Sequence, residues 1–227
     1  MEIEQKQWTE DSGWINVSQS DLSNTAQLVL AFGCKEALEN EHRFQEIRDF
    51  YPNANIVICS TAGEILDNKV CDNSINTTAV SFETTRVEVS QVSISDSNES
   101  FDAGIQLMEA LKETDLVYSL VISDGQIVNG SELTRALGQN FHPDITITGG
   151  LAGDGPNFQT TLVGLNEAPK SGNIVGIGFY GKNLKVGHAA KGGWDPFGPE
   201  RLVTKSKNNV LYELDGQSAL DLYKNYL

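Results

Sequence analysis

"NTTAVSFETTRVEVSQVSI", residues 76–94, decides how the sheet of this protein is read. Val and Thr mark two runs, "NTTAVSFE" (76–83) and "RVEVSQVSI" (86–94), joined by a "TT" link. β-Branched residues alternating with polar ones fit strands with one face in water, and so short a link predicts an antiparallel β-hairpin. Upstream the runs differ. "LVLAF" (28–32) and "NIVICS" (55–60) are apolar almost throughout, the pattern of strands covered on both faces. Between them Asn40 offers an N-cap, Phe44, Ile47 and Tyr51 recur at helical spacing, and Pro52 ends the pattern. A strand–helix–strand unit beside a hairpin predicts an α+β (mixed α/β) fold: mixed β-sheets with helices packed on their faces.

Downstream, Phe101, Ile105, Met108 and Leu111 predict a second surface helix, and "LVYSLVIS" (116–123) a long buried strand. Leu133, Ala136, Leu137 and Phe141 predict a third helix that stops at "HPD". "ITIT" then enters "GGLAGDG" (149–155). The C-terminal half beyond it is β-rich: "TTLVGL", "NIVGIGFYG", "LKVGHAA", "RLVTKS" and "VLYEL" all read as strands. Asp215 is placed to cap a final helix carrying Ala219, Leu222, Tyr223, Tyr226 and Leu227. Residues 1–27 read as a loosely packed N-terminal arm and 28–227 as the folded domain. The last helix ends on an apolar leucine without a C-cap, which predicts that the domain is part of a longer protein.

The chain's 227 residues suffice for a real core, and its 39% apolar content is that of a globular protein. A net charge of −15, with no cluster of Lys or Arg, argues against nucleic acid and anionic membrane as partners. The polar, acidic start "MEIEQKQWTEDSGW" is unlike a signal peptide, and "LVLAF" is far too short to span a bilayer. Three cysteines, Cys34, Cys59 and Cys71, form no CxxC pair, which fits a reducing cytoplasm better than a disulfide framework.

"GIGFYG" (176–181) matches GxGxxG by letter, yet its glycines lie inside a β pattern and not at a strand-to-helix turn, so it is not read as a dinucleotide site. "GGLAGDG" lacks the GK[ST] of a P-loop. Its glycines fit either a tight turn or an anion-binding nest, with Asp154 accepting a ligand's donor. Two other strand ends, "STAGE" and "SDGQIVNG", are rich in small and polar residues, including Thr61, Asp124 and Asn129. Such strand ends are where open α/β sheets bind ligands. The loops 61–64, 124–130 and 149–155 are therefore expected to converge on one cavity. There Thr61, Asp124, Asn129 and Asp154 supply polar contacts, and the N–H groups of Gly149, Gly150, Gly153 and Gly155 receive a carboxylate or other anion. A hydrolase or transferase would use Cys59 or Ser60 with a histidine, but neither a GxSxG elbow nor an HExxH pair is present. A purely structural interaction module is a third class. His188 alternates with Leu184 and Val186 on one face of a predicted strand, and Trp194 and Phe197 nearby would wall an apolar pocket or pin a loop.

"CSTAGEI", "SDG…NG", "GGLAGDG…F…T", "GFYG", "GGWDPFGPE", "VTKS…NVLYELDG" and "ALDLYKNYL", in this order, resemble the N-terminal half of the FIST family. The similarity runs from about Leu28 to the last residue. It implies an intracellular sensory domain without catalysis that binds small ligands, amino acids among them, and signals to a partner. Family members usually continue into a second, C-terminal region. One branch looks like haem-binding nitric oxide sensors acting on histidine kinases. Were this chain of that branch, His188 would be the expected axial donor, since histidine is the common choice and His188 lies on the predicted core face.

Overall fold

Strands covered on both faces account for the apolar runs. The computed structural model describes residues 1–112, 114–140, 144–189, 192, 195 and 198–226, which divide into two units, Met1–Val186 and Gly187–Leu227. The first unit contains, in chain order, β1 (Glu2–Thr9), β2 (Gly13–Asn16), β3 (Leu28–Gly33), α1 (Lys35–Leu38), α2 (Glu41–Phe50), β4 (Asn55–Ser60), β5 (Glu64–Leu66), β6 (Lys69–Cys71), β7 (Ser74–Ser81) and β8 (Arg86–Ser93). It continues with α3 (Ser100–Leu111), β9 (Leu116–Ser123), α4 (Gly130–Asn140), β10 (Thr146–Leu151), β11 (Val163–Leu165) and β12 (Asn173–Tyr180). One sheet has the order β11-β4-β3-β7-β1-β2 and a second the order β10-β9-β12-β8. Parallel pairs (β3–β4, β9–β10) and antiparallel pairs coexist in them, so the fold is α+β with mixed sheets.

Alternation along the strands builds four layers. In β3 and β4, Val29, Ala31, Ile56 and Ile58 face α2, where Ile47 and Tyr51 meet them. Leu28, Val57 and Cys59 face the other way, onto Ile122, Val175, Ile177 and Phe179 of the second sheet. That sheet turns Val121, Ile174 and Tyr180 outward to Leu107 and Leu111 of α3 and Leu133 and Leu137 of α4. The order is therefore helix, sheet, sheet, helix, and each inner strand is apolar at successive positions because both its faces are covered. The helices match their signals: Asn40 Oδ1 caps α2 by accepting from the His42 amide at 3.1 Å. The "GIGFYG" glycines sit in the central strand β12, where a Cβ at Gly176 would lie 2.8 Å from Leu111 Cδ1. The glycine there admits α3, not a dinucleotide.

Five expectations need correction. The hairpin does not form: β7 belongs to the first sheet and β8 to the second. Four residues, Phe82–Thr85, separate the two strands; such a link extends roughly 13 Å, enough to bridge sheets about 10 Å apart. Phe82 packs edge-on against Phe179 of the other sheet, with ring centroids 5.9 Å apart. The polar residues of β7 do not mark a wet face either, because Asn76 accepts from Gln7 Nε2 at 3.0 Å inside the sheet.

The N-terminal arm is likewise part of the sheet. β1 pairs with β7 along its whole length, and buried Glu4 accepts from the Leu22 amide at 2.6 Å while pairing with Lys6 at 2.5 Å. Its apolar residues are few and widely spaced, yet Leu22 and Ala26 are buried in the core with Ile47 and Tyr51. Trp14 meets Phe50 edge-on at 5.5 Å, and Lys6 Nζ lies 5.2 Å from the centre of the Phe50 ring. "LKVGHAA" forms no strand over its described residues, so the core face expected to carry His188 does not exist, and His188 is exposed.

The second unit holds β13 (Val203–Lys207), β14 (Val210–Leu214), β15 (Gln217–Ser218) and α5 (Ala219–Tyr226), the three strands forming one antiparallel sheet. Asp215 does not cap α5. It sits in a turn at φ +52° and accepts from the Leu202 amide, while Ser218 Oγ accepts from Asp221 N at 3.3 Å.

Candidate functional site

β4 and β10 run out at neighbouring ends, and the chain beyond each forms one wall of a cleft of about 580 Å³. One wall is Thr61–Glu64, the other Asp154–Phe158, and Cys34, Glu36, Asp72 and Asn73 complete the lining. The walls are tied by backbone: Gly153 N donates to Ser60 O at 2.9 Å, and Gly155 N to Thr61 O at 3.4 Å. A Cβ at Gly153 would stand 2.8 Å from Ala62 N, so the approach requires glycine there.

The expected anion nest is therefore absent at these two positions, because their amides are already donated to carbonyls. Asp154 is held by its own loop. Its Oδ2 accepts from Thr160 N at 3.0 Å and Gln159 N at 3.1 Å, and Lys35 Nζ stands 3.5 Å from Oδ1. The Thr160 amide, with those of Gln159 and the Asn157 side chain, outweighs burial and keeps the carboxyl below its ordinary pKa. Buried Glu64 takes Thr61 Oγ1 at 2.7 Å and the Ser74 hydroxyl and amide at 3.1 and 3.2 Å. Exposed Glu36 and Asp72 add two further carboxylates to the lining. Phe158 stands at its edge with a 77% exposed ring and φ +53°.

The three predicted loops do not meet in this one cleft. Thr61, Asp154 and Gly155 line it, and Gly153 ties its two walls through the bond to Ser60 O. Gly149 and Gly150 line a separate groove of about 410 Å³ beside α4. Asp124 and Asn129 have structural duties. Asp124 is fully buried and accepts from the amides of Gln126, Ile127 and Gly172 and from Ser171 Oγ, all within 3.0 Å. Burial opposes its ionisation, but these donors prevail and its pKa lies below the ordinary value. Asn129 caps α4, accepting from Ser131 N at 3.1 Å. Sequence reading missed Cys34, Glu36, Glu64, Asp72, Asn73 and Phe158. Only Glu64 carried a signal, as the one charge in "STAGE".

Trp194 and Phe197 lie outside the described residues. His42 and His188 are exposed, the latter on a segment without strand structure, so neither offers the apolar wall that haem requires. Among the described residues, no group of three or more His, Cys, Asp or Glu is arranged to hold a metal ion. Cys59 is buried, and burial pushes its thiol up to about 12. Ser60 is fully buried, donates to Gly153 O and accepts from Leu162 N, both at 2.8 Å. Among the described residues, the partners of the Cys59 and Ser60 side chains are backbone groups, and no histidine or carboxylate is hydrogen-bonded to either.

No helix among the described residues is long and apolar enough to cross a membrane. Comparison with curated proteins finds no match. The family model described as FIST N domain matches residues 27–217, most of the chain, so the protein belongs to the FIST family of sensory domains.

Proposed function

We propose that this chain is a non-catalytic cytoplasmic sensor that binds a small metabolite bearing a protonated amine, an amino acid among them, in the cleft between Thr61–Glu64 and Asp154–Phe158. The observation that carries this reading is the cleft's polarity. Exposed Glu36 and Asp72 line it in front of buried Glu64, Asp154 is paired with Lys35, and the amides of Gly153 and Gly155, which would have received an anion, are bonded to backbone. A cation is thus the charge this lining favours. The exposed ring of Phe158 adds a face over which an ammonium group gains about 0.5–2 kcal/mol. Free Cys34, Cys59 and Cys71 suit a reducing compartment. Occupancy of the cleft would be passed to a signalling protein, a histidine kinase being one such output.

Thermal shift and calorimetry test this with ethanolamine, putrescine, the common amino acids and their N-acetylated forms. At about a hundred times Kd, a binder adds roughly 2.7 kcal/mol. That raises the melting temperature by about 5–11 °C for a chain of this size. Amine-bearing compounds should bind, N-acetylation should abolish the effect, and the Glu36→Gln/Asp72→Asn double variant should weaken it about tenfold. Equal binding of the acetylated forms, or no shift with any compound, refutes the reading.

A further inference from the structure

The segment that leaves β10 for the cleft has a second exposed feature before it. β10 is the edge of the four-stranded sheet: its register with β9 runs from Thr146 to Leu151, and no described strand pairs with its other side. An unpaired edge is a template for another chain, and proteins ordinarily blunt it with short strands, charges, proline or a bulge. The other edges of the two large sheets are blunted. β2 has four residues, β11 three, and β8 carries Arg86 and Glu88. β10, "TITGGL", has six residues without charge, proline or a register shift, and its last residue, Leu151, is 55% exposed.

Beside this edge lies the groove of about 410 Å³, lined by Val121 of β9, Leu133 and Leu137 of α4, and Ile147 and Leu151 of β10. Backbone groups waiting for a strand, next to an apolar trough on one side of the sheet, are the two requirements of β-strand addition. Main-chain bonds supply affinity, and pockets take alternate side chains.

We propose that β10 is a docking edge for an extended segment of another polypeptide, uncharged and β-branched along its centre and flanked by Lys or Arg. Charge selects this occupant. The chain carries −15, so a second copy is repelled as it approaches, whereas basic flanks are drawn in. The neutral strand then leaves nothing to repel the centre of the segment. This surface stands apart from the amine-binding reading of the cleft, and neither depends on the other.

The probe is a fluorescein-labelled peptide, Lys-Ile-Thr-Val-Thr-Val-Lys, followed by polarisation, with hydrogen exchange reporting where it binds. Binding is expected with slowed exchange confined to residues 146–151, and the same peptide with proline at its centre should bind at least tenfold more weakly. Gly150→Lys tests the edge directly, because a Cβ at Gly150 meets nothing within 4 Å and the fold should persist. Leu151→Lys is the second variant. Both should lower affinity at least tenfold with unchanged circular dichroism. Absence of binding to the wild type, undiminished binding to both variants, or protection outside 146–151 overturns the proposal. So does a concentration-dependent dimer that Gly150→Lys dissociates, since the occupant would then be a second copy.

Discussion

Gly149 and Gly150 are adjacent, and the structure assigns them opposite tolerances. A Cβ at Gly149 would lie 1.9 Å from Val121 O and 2.9 Å from Val121 C, both backbone atoms of β9. β9 lies between β10 and β12, so it cannot recede without disturbing two ladders. Ordinary overpacking costs about 1–3 kcal/mol, and a collision with a fixed carbonyl belongs at or above the upper end, about 3 kcal/mol. Alanine at Gly150 meets open space, and its smaller unfolded-state entropy confines the effect to within about 1 kcal/mol. At about 2–4 °C per kcal/mol for a chain of this size, Gly149→Ala should melt about 6–12 °C below wild type and Gly150→Ala within about 4 °C. Thermal unfolding by circular dichroism checks both, with hydrogen exchange across residues 146–151 locating the damage. A Gly149→Ala protein melting within 2 °C of wild type, or one no worse than Gly150→Ala, would refute the reasoning.

Asp124→Asn should destabilise the protein by about 1–3 kcal/mol in chemical denaturation, because an amide nitrogen would face groups that themselves donate to Asp124. Asp124 and Asp154 both ionise more readily when folded, so their contribution is complete above the ordinary carboxylate range near pH 4. It is lost as pH falls through their depressed values, and a urea midpoint measured from pH 5 downward should show Asp124→Asn losing less than wild type. Asn129→Ala should cost about 1 kcal/mol by removing the cap of α4, read as a lower melting temperature. With its thiol pushed up to about 12 in a buried strand, Cys59 should resist a thiol reagent at pH 8 until denaturant is added.

Local chemistry alone determined much of this protein. The Asn40 cap, the Phe44–Ile47–Tyr51 stripe and Pro52 place α2, because capping and helical spacing act within a few residues. Val29, Ile56 and Ile58 declared inner strands, since burial on both faces leaves a continuous apolar run. The ordered motifs from Cys59 to Leu227 carried the family. The polar residues of 76–94 had two explanations, a wet face or partners within the sheet, and only the first sheet's packing selects the second. A short link likewise does not say whether the next strand lies alongside or across the interior. Trp8, Trp14 and Lys6 bind the first strands through aromatic contacts with α2, which comes more than twenty residues later in the chain. The candidate site shows the same division. The glycines of 149–155 announced close backbone approach, but what approaches differs: Val121 O at Gly149, Ala62 N at Gly153, nothing at Gly150. Asp124, Asn129 and Asp154 looked equally free to meet a ligand until the fold supplied donors to each. Propensity and periodicity are properties of neighbours in the chain, whereas a hydrogen-bond partner or a cleft wall is set by which strand ends the two sheets bring side by side.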